Sequence, residues 1–186
     1  MKRSTFVFVL LLALPVFSIA QIHDTVPAEK YPSSGRLGCI GDFICKRLDD
    51  SLSVWLFRNY WTGKGDIWLS DEQFAGVEDC IMKMWQPLEF EADSLLPADA
   101  VGRQSVSFYG TKYGNAFGVA TVYVDAQNRI VGFVDTYDFD AKKWGVRPFK
   151  YELMIRIVSL LSPSASLPFN VYYGRLPIVS LPAVWQ

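Results

Sequence analysis

Two stretches, Phe117 to Val124 and Arg129 to Tyr137, are rich in Val, Phe, Tyr and Thr and flank the short polar segment Asp125-Ala-Gln-Asn128. β-Branched and aromatic side chains suit a pleated surface, and an Asp/Asn-bearing connection of this length lets the chain reverse. The pattern predicts a β-hairpin. A third stretch, Gln104 to Tyr109, extends it to a meander, with Gly110 and Gly114 punctuating the first connection. The rest of the chain has to be built around an antiparallel sheet.

The flanking segments change period. Asp42 caps a predicted helix running to about Tyr60, with Phe43, Leu48, Leu52 and Trp55 on one side. Trp61-Thr-Gly-Lys-Gly-Asp66 breaks it, and Ile67-Trp-Leu69 reads as a short strand. Ser70 and Gln73 stand in the positions of a capping box before a second helix striped by Phe74, Val77, Ile81 and Met84. Trp85 closes that seam, Pro87 ends the helix, and residues 86–102 read as loop. Phe149 to Leu161 is again helical, with Leu153, Ile157, Leu160 and Leu161 on its apolar side. Ser162-Pro163 stops it before a last strand, Phe169 to Tyr173. The expected fold is α+β: N-terminal helices, then a curved antiparallel sheet, open and half-barrel-like, with a helix packed before the last strand.

A length of 186 residues is one domain's worth, and 51% apolar with 15% aromatic content is enough for a sizeable core. Eighteen Lys and Arg against 19 Asp and Glu argue against a nucleic-acid partner held by a basic surface. Lys2 and Arg3 precede the apolar run Phe6 to Leu14 and then Pro15, with small residues at Ser18 and Ala20. This is the form of a signal peptide, 1–20, with cleavage near Ala20, too short in its apolar run to span a bilayer. Residues 21–41 read as an extended lead rich in Pro, Gly and Ser, and 42–186 as a single domain, exported to the periplasm or secreted. In an oxidising compartment Cys39, Cys45 and Cys80 are expected to form one pair, Cys39 or Cys45 with Cys80, and leave one thiol. Their spacing, with His23 as the one histidine, suits zinc poorly.

The densest polar cluster is Asp135-Thr-Tyr-Asp-Phe-Asp140 followed by Trp144-Gly-Val-Arg147. In a strand Asp135 and Tyr137 point to one side, and Asp138 turns off the strand end beside them. Carboxylates, a phenol and a guanidinium this close can bind a divalent cation and a phosphate together. The plainer reading makes the acids turn formers, with Lys142 and Lys143 as solvated partners.

From about Trp55 to Gly174 the chain resembles the catalytic domain of the colicin M family, bacteriocins and polymorphic toxins that cleave lipid II. The resemblance is carried, in order, by Asn59-Tyr-Trp-Thr-Gly-Lys-Gly65, by Gly110-Thr-Lys-Tyr-Gly-Asn115, and by Asp135-Thr-Tyr-Asp-Phe139 after a hairpin and before a helix. It implies an antibacterial toxin-like hydrolase that cuts the bond between undecaprenol and pyrophosphate in lipid II and blocks cell-wall synthesis; the export read from residues 1–20 is a departure from colicin M, which has receptor and translocation regions and no signal peptide of this kind. The resemblance further implies Mg²⁺ on Asp135 and Asp138, pyrophosphate contacts from Tyr137 and Arg147, and an immunity protein as a possible partner. Tyr60, Trp61 and Trp68 either meet the polyprenyl tail or, as is commoner for such residues, pack in the core.

The family's histidine is replaced by Trp144 and its following arginine by Gly145, with Arg147 two residues further on. Tryptophan exchanges no proton, so a carboxylate such as Asp138 or Asp140 takes that work, the substrate differs, or activity is lost. The competing class is a non-enzymatic exported binding module of the same fold.

Overall fold

The computed structural model describes residues 31, 37–48, 50–85 and 100–176. Over them the chain runs α1 (Gly38–Cys45), α2 (Ser51–Thr62), β1 (Ile67–Trp68), α3 (Asp71–Met84), β2 (Gly102–Ser107), β3 (Val119–Val124), β4 (Ile130–Tyr137), α4 (Phe149–Leu161) and β5 (Phe169–Gly174). The fold is α+β with one open sheet in the order β1-β5-β4-β3-β2. The expected leader and the Pro87 stop lie outside the described residues. No described helix is long and apolar enough to cross a membrane.

The central hairpin forms where its sequence places it. The Asp125 carboxylate accepts the backbone N–H groups of Gln127 and Arg129, each at 2.9 Å, and Asn128 takes the left-handed conformation that closes the turn. β2, β3, β4 and β5 pair antiparallel throughout, but β1 lies parallel to β5, with Ile67 opposite Val171 and Trp68 opposite Tyr172. The sheet is therefore mixed rather than wholly antiparallel. A two-residue strand has no hairpin partner of its own, and its place at the edge is set by a segment over a hundred residues away. Asp66 secures that register by accepting the Asn170 N–H at 2.8 Å.

The single helix expected from Asp42 to Tyr60 is two. Asp50, not Asp42, caps the longer one, its side chain accepting from Ser53 N at 2.8 Å, and Gly63 ends it in the left-handed conformation. α1 starts at Gly38, inside the stretch read as lead. The capping box at Ser70 and Gln73 is present on α3, whose Phe74, Val77 and Ile81 are wholly buried.

Aromatic rings fill the space between α3 and the sheet. Phe133 of β4 meets Phe74 at 5.3 Å, Phe117 at 5.1 Å and Phe108 at 6.3 Å, while Phe74 stacks on Tyr173 at 3.8 Å. Of the three aromatics with two readings, Tyr60 and Trp61 are core residues, while Trp68 is 60% exposed. α4 is also turned from its expected phase. It buries Tyr151, Glu152, Ile155, Ile157 and Val158, whereas Leu160 is exposed. The three cysteines are free. Cys39 is exposed and Cys45 buried on the same short helix, a consequence of their six-residue spacing.

Candidate active site

β4 alternates its side chains, so Phe133, Asp135 and Tyr137 share the face turned to the core. In the ladder Asp135 stands opposite Val171 and Tyr137 opposite Phe169. Past Tyr137 the chain leaves the sheet, and residues 138–148 loop back toward α4. That return brings the Arg147 guanidinium to 3.7 Å from the Asp138 carboxylate, where it also donates to the Asp140 carbonyl at 2.9 Å and lies close enough to the Tyr109 hydroxyl to favour its ionised form. Asp135, Asp138, Arg147, Tyr109, Asn115 and Lys142 line one cavity of about 430 Å³.

Burial pushes the Asp135 carboxyl up to about 8. Backbone N–H groups of Thr136 and Gly118 and the nearby Arg147 oppose the rise, and the Asp138 charge adds to it. Asp140 behaves in the opposite way: exposed and bonded to Lys142 at 2.9 Å, it is held below the usual carboxylate range. It is a poor stand-in for the missing histidine.

Tyr137 is not placed as expected. Its ring contributes to the cavity wall, but it packs among Tyr60, Phe139 and Phe169, and its hydroxyl is buried with no hydrogen-bond partner. Burial, first, and then the charges of Asp50, Cys45 and Asp135 drive its pKa well above the ordinary phenol value. The phenol that reaches the guanidinium is Tyr109. Trp144, in the histidine's place, is not among the residues lining the cavity; it stacks on Phe149 at 5.4 Å with Arg156 at 4.6 Å over its ring.

Sequence reasoning missed Glu152. It is fully buried on α4, 2.9 Å from Arg156 and 3.8 Å from Arg147. Both contacts are of ion-pair length, yet neither carboxylate oxygen has hydrogen-bond geometry. The available signal was an acid on the helix four residues before Arg156 and five after Arg147. Arg156 donates in turn to the Lys142 carbonyl at 2.6 Å, so two arginines tie the 138–148 loop to one carboxylate.

The glycines of the Gly110–Asn115 segment serve the same wall. Gly110 takes a φ of +88°, and its N–H donates to the Tyr151 hydroxyl at 3.1 Å. A Cβ at Gly114 would collide with that hydroxyl and lie 2.9 Å from the Phe108 carbonyl oxygen, which is backbone and cannot step aside. Gly114→Ala is expected to cost about 1–3 kcal/mol, read by urea denaturation; an unchanged midpoint would show that this wall is loose.

Among the described residues no three His, Cys, Asp or Glu side chains cluster as a metal cage. Asp135 and Asp138 both line the cavity, and Mg²⁺ commonly takes one or two carboxylates and completes its shell with water and substrate phosphate oxygens. A cation between them would also offset the repulsion by which Asp138 raises Asp135. Compared with protein-family models, with curated proteins and with solved structures, the chain matches none.

Proposed function

We propose that this protein is a Mg²⁺-dependent phosphoester hydrolase that acts on the undecaprenyl-pyrophosphate linkage of lipid II, as an exported antibacterial toxin-like enzyme. The observation that carries the reading is the buried Asp135, its proton held into the neutral range, in one cavity with Asp138 and Arg147. Groups perturbed by burial and by a specific charge partner within a cleft mark candidate functional sites, and here they stand beside an arginine that can bind phosphate.

Each group has a role that its surroundings allow. Arg147, fixed by Asp138, the Asp140 carbonyl and Glu152, presents a planar fork to the pyrophosphate. Tyr109, not Tyr137, supplies the phenol beside it. Asp138 and the ionised form of Asp135 would hold Mg²⁺, which would supply charge neutralisation for the pyrophosphate leaving group. In the metal-free protein Asp135 keeps its proton up to about pH 8, and binding Mg²⁺ would release that proton and hold the carboxylate ionised.

The test is incubation of the protein with lipid II and Mg²⁺, followed by chromatography for released undecaprenol. Wild type should release it, and Arg147→Ala should lower kcat/KM by about 10²–10³-fold through loss of charge stabilisation. No release by folded wild type overturns the reading. The non-enzymatic binding module is favoured by a separate observation, the Tyr137 hydroxyl enclosed in the core, and predicts saturable lipid II binding without turnover.

A further inference from the structure

Residues 141–150, Ala-Lys-Lys-Trp-Gly-Val-Arg-Pro-Phe-Lys, hold four bases and no acid in a chain whose formal net charge is −1. Three large apolar side chains of this segment stand in solvent: Trp144 is 55% exposed, Val146 68% and Phe149 66%. Single exposed apolar residues are ordinary, but these are gathered, and Trp144 and Phe149 stack on each other. Arg156, 4.6 Å over the Trp144 ring and bonded to the Lys142 carbonyl, helps hold the tryptophan in this pose. Lys143 and Lys150 are exposed in the same segment, Lys150 with its Nζ 4.6 Å over the Tyr151 ring, and Lys142 bonds Asp140 at the cavity rim. Val146 and Lys142 line the cavity as well, so the patch borders the mouth of the candidate site.

From this arrangement we propose that Trp144, Val146 and Phe149, with Lys142, Lys143 and Lys150, form a docking face for an anionic lipid bilayer. Tryptophan and phenylalanine lower their free energy at the boundary between headgroups and acyl chains, and lysines around them meet anionic headgroups. Docked this way, the cavity mouth faces the membrane surface. The docking face stands on the patch alone; its benefit to turnover rests on the proposed function.

The experiment uses the full chain with vesicles of phosphatidylglycerol carrying brominated acyl chains, which quench only tryptophans that enter the bilayer. No tryptophan lies in residues 1–20, so the leader adds no emission of its own, and the difference in emission between wild type and Trp144→Phe reports Trp144 alone. The Trp144 component should lose at least about half its intensity. Trp144→Ser/Phe149→Ser, with an unchanged circular dichroism spectrum, should bind the vesicles at least tenfold more weakly, and phosphatidylcholine vesicles should bind wild type less than the anionic ones do. A Trp144 component untouched by brominated lipid, or equal binding by the double variant, overturns the proposal. So does lipid-free self-association that the double variant abolishes, which would assign the patch to a second copy. Lipid-docking loss in a variant that still turns over a short-chain soluble pyrophosphate would separate this face from the catalytic reading.

Discussion

Asp135→Asn is expected to remove turnover, by at least 10²–10³-fold, and at the same time to stabilise the metal-free protein at alkaline pH. Asp135 is 8% exposed and its carboxyl is raised to about 8, chiefly by burial. A carboxyl whose pKa is higher folded than unfolded binds more protons in the native state, so stability falls as pH rises between the two values. For wild type that window runs from the ordinary aspartate value, near 4, to about 8. At 1.36 kcal/mol per unit the loss across it is on the order of 5 kcal/mol. Asparagine is neutral throughout, keeps a carbonyl oxygen for the N–H groups of Thr136 and Gly118, and does not share this decline. Urea denaturation in EDTA at pH 4, 6 and 8 should give wild type and variant similar stability at pH 4 and widely different stability at pH 8. Parallel pH dependence of the two proteins would show that Asp135 ionises freely and that its proton has no special standing.

The second large effect is expected at Glu152, which nothing in the apolar periodicity marks. Glu152→Ala leaves Arg147 and Arg156 facing each other without their shared carboxylate. Breaking a fully buried pair costs about 3–5 kcal/mol, and these arginines are 14% and 35% exposed and so retain some access to water. About 3 kcal/mol is expected, with Arg147 released from its position against Asp138. The measurement is a denaturation curve together with steady-state kinetics. Glu152→Gln, which keeps the shape without the charge, should retain more stability than Glu152→Ala and still raise KM for a pyrophosphate substrate. Equal kinetics for Glu152→Gln and wild type would make the residue purely structural.

Much of the fold is legible from local pattern. The β3–β4 hairpin, the capping box at Ser70 and Gln73, and the bounds of α4 depend on residues within a few positions of one another, so sequence period and turn chemistry suffice. The break between α1 and α2 was misread because Asp42 and Asp50 are both competent caps. Which one is used depends on the Ser53 N–H and on how each short helix meets the core. The phase of α4 was misread for a related reason. An acid is assigned to solvent by its polarity, and Glu152 is buried in company with Arg156, one turn along the same helix, and with Arg147 from the loop before it.

For the candidate site, the Asp135-to-Arg147 cluster was visible as a concentration of chemistry, and strand alternation put Asp135 and Tyr137 on one face. Alternation cannot say what that face meets. It meets a ring cluster at Tyr137, which encloses the hydroxyl, and a cavity at Asp135, which raises the carboxyl. Sequence by itself determined the hairpin, the caps and the strand end where acids gather, because these are short-range consequences of backbone geometry. The parallel β1–β5 edge, the burial of Glu152 against Arg147, the placing of Tyr109 rather than the Tyr137 hydroxyl near Arg147 and the raised carboxyl of Asp135 were decided only by tertiary structure. Each depends on burial or on a partner distant in the chain, and local sequence encodes neither.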